Sequence, residues 1–247
     1  MTRPLVTLAM AVYGQPKMLE VWFEMLRSYP PETLAKLELL IVDDCGSPPA
    51  TIPDDLVYDL ACQIFRITKD IPWNQPGARN LALDHCRTPL VLFVDPDMVF
   101  SPAMMDRLLE TGASLRKGTV IRFMLKHRSN GKLDGSSPNT WFCHVSDFMI
   151  VGGYDEDYAG HKGWSDVQLL DVMTATFKIQ HRADLFAQFY NVDEIADAMV
   201  TTLDRSHVIN RRLRLKKVAW SRRRGGWKAF VKAGGRPRIR FPWEQVL

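Results

Sequence analysis

The sequence predicts an α/β fold in which a mostly parallel central sheet is flanked by helices. Three observations carry that expectation. Short aliphatic and β-branched runs, of which Pro89-Leu90-Val91-Leu92-Phe93-Val94 is the clearest, have the length and composition of strands buried on both faces. These runs alternate with segments of helical apolar spacing, the order expected of parallel strands joined by right-handed crossovers. Two of the runs end in acidic groups, Asp43-Asp44 and Asp95-Pro96-Asp97, and strand tips are where α/β sheets present ligand-binding side chains.

Residues 5–12 read as the first strand. Residues 16–28 form a helix opened by proline, with Met18, Leu19, Trp22, Phe23 and Leu26 on its inner side. The second strand, 37–42, runs into Asp43-Asp44, and 46–53 is a turn-rich loop. A third strand over 63–68 precedes a helix over 76–86, the apolar run ending at Asp95, and a helix from 102 to about 110. Residues 119–125 are another strand. The polar, Gly/Ser-containing stretch 127–139 reads as a mobile loop. Beyond it, 141–151 reads as extended, 152–163 as a loop, 166–176 as a helix and 177–190 as a further strand. The chain therefore divides into a body, 1–204, and an extension, 205–247, that is basic and aromatic and broken by Gly225-Gly226, Gly234-Gly235, Pro237 and Pro242.

The bulk composition is that of a globular chain, 46% hydrophobic and 24% charged over 247 residues, long enough for a substantial core. No apolar stretch approaches the roughly 20 residues of a membrane span, and the short N-terminal run has no cleavage pattern of a signal peptide. Cys45, Cys62, Cys86 and Cys143 are scattered, without a Cys-x-x-Cys pair, which argues against a zinc site or a disulfide framework and for a reducing cytoplasm. The net charge of +4 hides an asymmetry. Residues 1–204 hold 18 Lys/Arg against 27 Asp/Glu, a balance of −9, whereas 205–247 hold 14 Lys/Arg against Glu244 alone, a balance of +13.

Asp95 and Asp97 are two apart, so on an extended chain they share one face. Paired carboxylates suit a hard divalent cation, Mg²⁺ or Mn²⁺, that keeps positions open for phosphate oxygens. Asp43 or Asp44 at the second strand tip can accept from the imide N–H of a uracil or thymine ring, with Tyr13 at the first strand tip close by. In Asn74-Gln75-Pro76-Gly77-Ala78-Arg79-Asn80, the proline opens a helix and the small residues permit close backbone approach. Arg79 then falls early in that helix, where a guanidinium can fork onto a diphosphate.

Taken in order, Leu-Val-Thr-Leu-Ala-Met-Ala-Val-Tyr, Ile-Val-Asp-Asp-Cys-Gly-Ser, Pro-Gly-Ala-Arg-Asn-Leu-Ala-Leu and Phe-Val-Asp-Pro-Asp-Met-Val-Phe resemble the nucleotide-sugar half of the GT-A glycosyltransferases, especially the family-2 group. Gly152-Gly153-Tyr154-Asp155-Glu156 and Gly163-Trp164-Ser165-Asp166 look like the acceptor-side, galactosyltransferase-type motifs of the same enzymes. The resemblance covers about residues 5–210. It implies a GT-A fold, with a nucleotide-sugar half over about 1–100 and an acceptor half over about 101–204.

It also implies roles for the matching positions. Asp43 or Asp44 holds the base, Arg79 the diphosphate, and Asp95 and Asp97 the ribose and the metal, with His207 as a further ligand to that metal. Asp166 is the catalytic base, in a segment where Ser165 replaces the acidic residue usual in the family. Gly153, Tyr154, Asp155, Glu156 and Trp164 line the acceptor. The donor expected is a nucleotide-diphosphate sugar, UDP-linked in the first instance, and a base placed across the ring from the leaving group implies inversion.

The extension carries Arg211, Arg212, Arg214, Lys216, Lys217, Arg222, Arg223 and Arg224 among Trp220, Trp227 and Phe230. Guanidinium forks beside aromatic plates suit phosphate backbones and exposed bases, so the acceptor expected is a polyanion, DNA with a hydroxymethylated base first, gripped through Arg222, Arg223 and Arg224. Three other readings compete. A peripheral anionic membrane would present a lipid-linked or envelope glycan. A basic tail could instead cover the acidic body, or the whole could be a catalytically idle nucleic-acid-binding protein on a transferase scaffold.

Overall fold

Val6–Val12 (β1) and Leu37–Asp43 (β2) run in parallel, Val6 opposite Leu37 and Val12 opposite Asp43. Every residue of β2 is buried, including Glu38, whose carboxylate is satisfied inside the sheet by Thr7 and Gln63. Between these strands lie α1 (Pro16–Arg27), its five predicted inner residues all buried, and the single turn α2 (Pro31–Leu34). After β2 come α3 (Asp54–Asp59), β3 (Ala61–Ile67), α4 (Gln75–His85) and β4 (Leu90–Val94). Strands β3, β2, β1 and β4 lie side by side in that order, all parallel. The chain leaves β1 toward one side and returns on the other, so the crevice between the tips of β1 and β4 is a topological switch point.

The second half is mixed. β5 (Met98–Val99), α5 (Pro102–Ala113), β6 (Thr119–His127), β7 (Leu133–His144), α6 (Val145–Ile150), a 3₁₀ turn at Glu156–Tyr158, α7 (Ser165–Thr176) and β8 (Lys178–Phe189) follow. β7 pairs antiparallel with both β4 and β6, and β8 runs parallel to β6. The structure, a computed structural model, describes residues 4–232 and 241–247. Within them the remaining elements are α8 (Val208–Arg223), α9 (Trp227–Lys232) and β9 (Trp243–Gln245). Two apolar clusters cover the sheet's faces, one built with α1 and α5, the other with α4, α6 and α7.

Several expectations are corrected. The stretch read as a loop over 127–139 is mostly strand: β7 begins at Leu133 and pairs with the far end of β6. Its polar composition reflects exposure along residues 133–135, not a lack of regular structure. The stretch read as extended over 141–151 changes to helix at Val145, because Phe148 and Val151 fall on one buried helical face. Asp95 and Asp97 do not share a strand face. β4 stops at Val94, and Met98 N–H donates to the Asp95 carbonyl at 3.0 Å, so Asp95-Pro96-Asp97 is a turn. Nor is the basic extension a loose appendage: β9 pairs antiparallel with β3, and Trp227, Phe230 and Phe241 pack on the α4/α7 cluster.

Candidate active site

A cavity of about 330 Å³ opens at the tips of β1 and β4. Tyr13, Asp44, Asp95-Pro96-Asp97, Ser165, Asp166 and His207 all line it. Residues far apart in sequence thus face one space, as the strand-tip argument expects. Tyr13, Trp73 and Tyr158 are among its aromatic lining, and Trp73 is fixed by donating from Nε1 to the Asp204 carbonyl at 2.6 Å.

The two acids after β2 separate in role. Asp43 is fully used by its own loop, accepting from Gly46 N–H at 2.7 Å, from Ala50 N–H at 3.0 Å, and from Arg66. Asp44 faces the cavity with one partner, Asn74 Nδ2 at 3.2 Å, and burial pushes its carboxyl up to about 7. Of the two, Asp44 is the one that lines the cavity.

Asp95 is held from three sides, by Gln75 Nε2 at 2.9 Å, Asn139 Nδ2 at 2.7 Å, and the Arg79 guanidinium. Arg79 is 1% exposed and also donates to Tyr154 Oη at 2.6 Å. It stands behind Asp95, away from the cavity wall, and so fixes that carboxylate instead of reaching a diphosphate directly. Asp97 differs. Its Oδ1 is buried without a hydrogen-bond partner, and burial, then the neighbouring Asp95 charge, push its carboxyl up to about 8. A buried, unpartnered carboxylate oxygen beside a second carboxylate fits a divalent cation. His207, exposed at the start of α8, lines the same cavity. Among the described residues, however, no three His, Cys, Asp or Glu side chains converge closely enough to hold a metal by themselves.

Asp166 lies in the first turn of α7, where backbone N–H groups favour an anion. The residues implied for the acceptor sit elsewhere. Gly153 has φ +73°, and a Cβ there would come within 2.3 Å of Asn80 Oδ1. Tyr154, Asp155 and Glu156 are each at most 1% exposed. Asp155 accepts from Gln168 and from Lys217 Nζ at 2.7 Å, and Glu156 from Asn80 Nδ2 at 2.6 Å. These side chains brace the wall and do not face the cavity. Trp164, with φ +76°, turns the chain into α7. Arg222, Arg223 and Arg224 are exposed at the end of α8. Gln75 and Asn139 were not anticipated. Asn139 lay in the stretch read as loop, and only the pairing of β7 with β4 and β6 brings it to Asp95.

This fold and cavity define a nucleotide-sugar-dependent glycosyltransferase of the GT-A type. The sequence profile of glycosyl transferase family 2 matches residues 7–155, and the chain belongs to that family. Solved structures support the fold. S. aureus TarS 1-349 aligns with a TM-score of 0.59 at 14% identity, covering 83% of this chain and 67% of TarS 1-349. TarS 1-349 in complex with UDP-GlcNAc gives 0.55 at 15% identity, covering 79% and 62%. The mannosyltransferase PcManGT from Pyrobaculum calidifontis, in complex with GDP-Man and Mn²⁺, gives 0.53 at 16% identity, covering 76% and 57%. No curated protein sequence matches the chain. Among the described residues no helix is long and apolar enough to cross a membrane.

Proposed function

We propose that the chain transfers a sugar, with inversion, from a UDP-linked donor to a hydroxyl on a polyanionic acceptor, a hydroxymethylated base in DNA being the acceptor favoured. The observation that carries this reading is that Asp44, Asp97 and Asp166 line one cavity. Asp44 accepts from the base, and Tyr13 packs beside it. Asp97, with His207 and Asp95 in support, would hold a divalent cation, Mn²⁺ or Mg²⁺, and that ion would supply positive charge to offset the leaving diphosphate. Asp166 takes the proton from the acceptor hydroxyl as it attacks from the face opposite the leaving group. PcManGT with its GDP-Man and Mn²⁺, and TarS with its UDP-GlcNAc, lend support to donor and metal. Residues 1–204 act as the catalytic unit, to which 205–247 add His207 at the cavity and the basic face of α8 toward the acceptor. The cytoplasm is the proposed compartment, in keeping with four unpaired cysteines.

The polyanion is argued from α8. Arg211, Arg212, Lys216, Arg222 and Arg223 are exposed there, and none of the five has an acidic partner among the described residues. A second reading has its own observation. Val208, Ile209 and Leu215 on the same helix are more than half exposed, as an amphipathic helix at an anionic membrane would require, and the acceptor would then be a lipid-linked glycan.

Side-by-side measurements separate the two. UDP-sugars, Mn²⁺ and hydroxymethylpyrimidine DNA are combined and the nucleosides analysed by mass, while binding to DNA and to anionic vesicles is titrated over salt concentration. The DNA reading expects a glycosylated nucleoside and a linear log–log salt dependence. Neutralising Arg222, Arg223 and Arg224 should reduce that slope by roughly 2–3 for all DNA sequences alike. Tight vesicle binding with no DNA binding would overturn the DNA acceptor and favour the glycan.

A further inference from the structure

α8 has an inner face as well as its basic outer one, and the inner face grips the loop that leads to Asp166. Asn210 is 1% exposed, and its Nδ2 donates to three backbone carbonyls, of Tyr158 at 2.9 Å, His161 at 2.6 Å and Gly163 at 3.0 Å. Those carbonyls belong to the stretch 158–163, of which His161, Lys162 and Gly163 line the cavity immediately before Trp164-Ser165-Asp166. The start of α8 also comes close to position 163, where the backbone is left-handed. Gly163 has φ +81°, and a Cβ there would come within 2.6 Å of His207 Nδ1. Two turns further along α8, Lys217 reaches Asp155 at 2.7 Å and Asp157 at 2.5 Å, on the near side of the same loop.

We infer that Asn210 is a positioning residue for the acceptor side of the cavity, holding residues 158–163 so that the turn at Trp164 presents Asp166 to the reacting hydroxyl. An amide suits this task. Three carbonyls converge on one spot, and a buried group there must donate without carrying a charge that the site would have to solvate. The basic helix is thereby part of the active-site wall, and a segment outside the profile match supplies a residue on which the geometry of the reaction depends. This inference rests on the reading of Asp166 as the base.

The test uses the full chain with UDP-glucose and Mn²⁺. Amide hydrogen exchange, UDP affinity and donor-hydrolysis kinetics are compared for wild type, Asn210→Ala, Asn210→Ser and Lys217→Met. Asn210→Ser keeps one donor and provides the answer if Asn210→Ala does not fold. The expected result for Asn210→Ala is loss of exchange protection confined to residues 158–165, with kcat down about 10–100-fold, the scale of a misplaced catalytic group. KM and UDP affinity should stay within about twofold of wild type, Asn210→Ser should fall between, and Lys217→Met, which frees only the Asp155 end of the loop, should lose less kcat than Asn210→Ala. Equal kcat losses in Asn210→Ala and Lys217→Met, with exchange raised along all of α8, would overturn the inference and leave Asn210 as a packing residue. Asp166→Asn, run in parallel, separates the two claims. If it hydrolyses donor as fast as wild type, the base reading fails, while exchange at 158–165 still decides the clamp.

Discussion

The first half of this chain, proposed to hold the nucleotide, and the second, proposed to hold the acceptor, solve the same problem by different means. In the first, Tyr13, Asp44 and Asp97 each sit at the end of an apolar strand or in the turn after it, so strand order alone brings them together. In the second, the conspicuous acids of Gly152-Gly153-Tyr154-Asp155-Glu156 are buried and paired, and the wall is shaped by contacts from residues tens of positions away. Asn80 reaches Glu156, Lys217 reaches Asp155, and Asn210 reaches the carbonyls before α7. A parallel sheet positions side chains by its own geometry. An irregular loop must be pinned by partners, and its acids are consumed in the pinning.

The sharpest way to test that division is Asp166, the acid of the second half that lines the cavity from α7. Asp166→Asn should lower transfer by roughly 10²–10⁴-fold, the range for a removed general base, while UDP binding measured by calorimetry stays near wild type. Equal transfer rates would move the base elsewhere, with Asp157, at the mouth of the same loop, the next candidate.

A smaller effect tests whether the Gly152–Glu156 segment is scaffold. Gly153→Ala forces a side chain into a left-handed backbone and onto Asn80 Oδ1, which accepts from Tyr154 N–H at 2.7 Å. The expected cost is about 2–4 kcal/mol of folding stability, read from the denaturant midpoint. Unchanged stability with lost transfer would return this segment to the acceptor.

The smallest effect belongs to the nucleotide half. Asp44 is buried with Asn74 as its hydrogen-bond partner, and the Asp70 and Asp43 charges also act on it; Tyr13 and Cys45 are its other titratable neighbours. Its carboxyl is raised to about 7, so the stability it contributes is whole below about pH 4 and is lost as pH rises through about 7. Base recognition runs the other way, because the ionised form is the stronger acceptor. UDP affinity should therefore rise by up to about tenfold between pH 6 and 8, and Asp44→Asn should abolish the rise. A flat wild-type profile would remove Asp44 from base binding.

The same contrast explains what was legible in the sequence. β1, β2, β4 and α1 could be read closely, because apolar runs and a proline-opened amphipathic helix carry their own periodicity. The Asp-x-Asp pair was found for an incomplete reason: both acids do line the cavity, but through a turn after β4 and not through strand alternation. The part of β7 before Trp141 was missed because its exposed end is polar, and Asn139 was missed with it. Arg79 was visible, yet nothing local says that it stands behind Asp95 with Tyr154. In the extension, the excess of cations pointed outward to a ligand. Pairing of Arg214 with Asp171 and of Lys217 with Asp155 and Asp157 shows that part of that charge turns inward, to the acidic body.

β9 has a role of another kind. Pairing of Trp243, Glu244 and Gln245 with Ile67, Arg66 and Phe65 occupies the outer side of β3, which would otherwise offer a row of unpaired amides and carbonyls next to a hydrophobic sheet. Strand edges of that sort recruit other chains. The three residues therefore guard the colloidal behaviour of the protein from the end of the sheet opposite β5, remote from any reacting atom. A lesion there would announce itself first as turbidity and only later, if at all, as lost turnover.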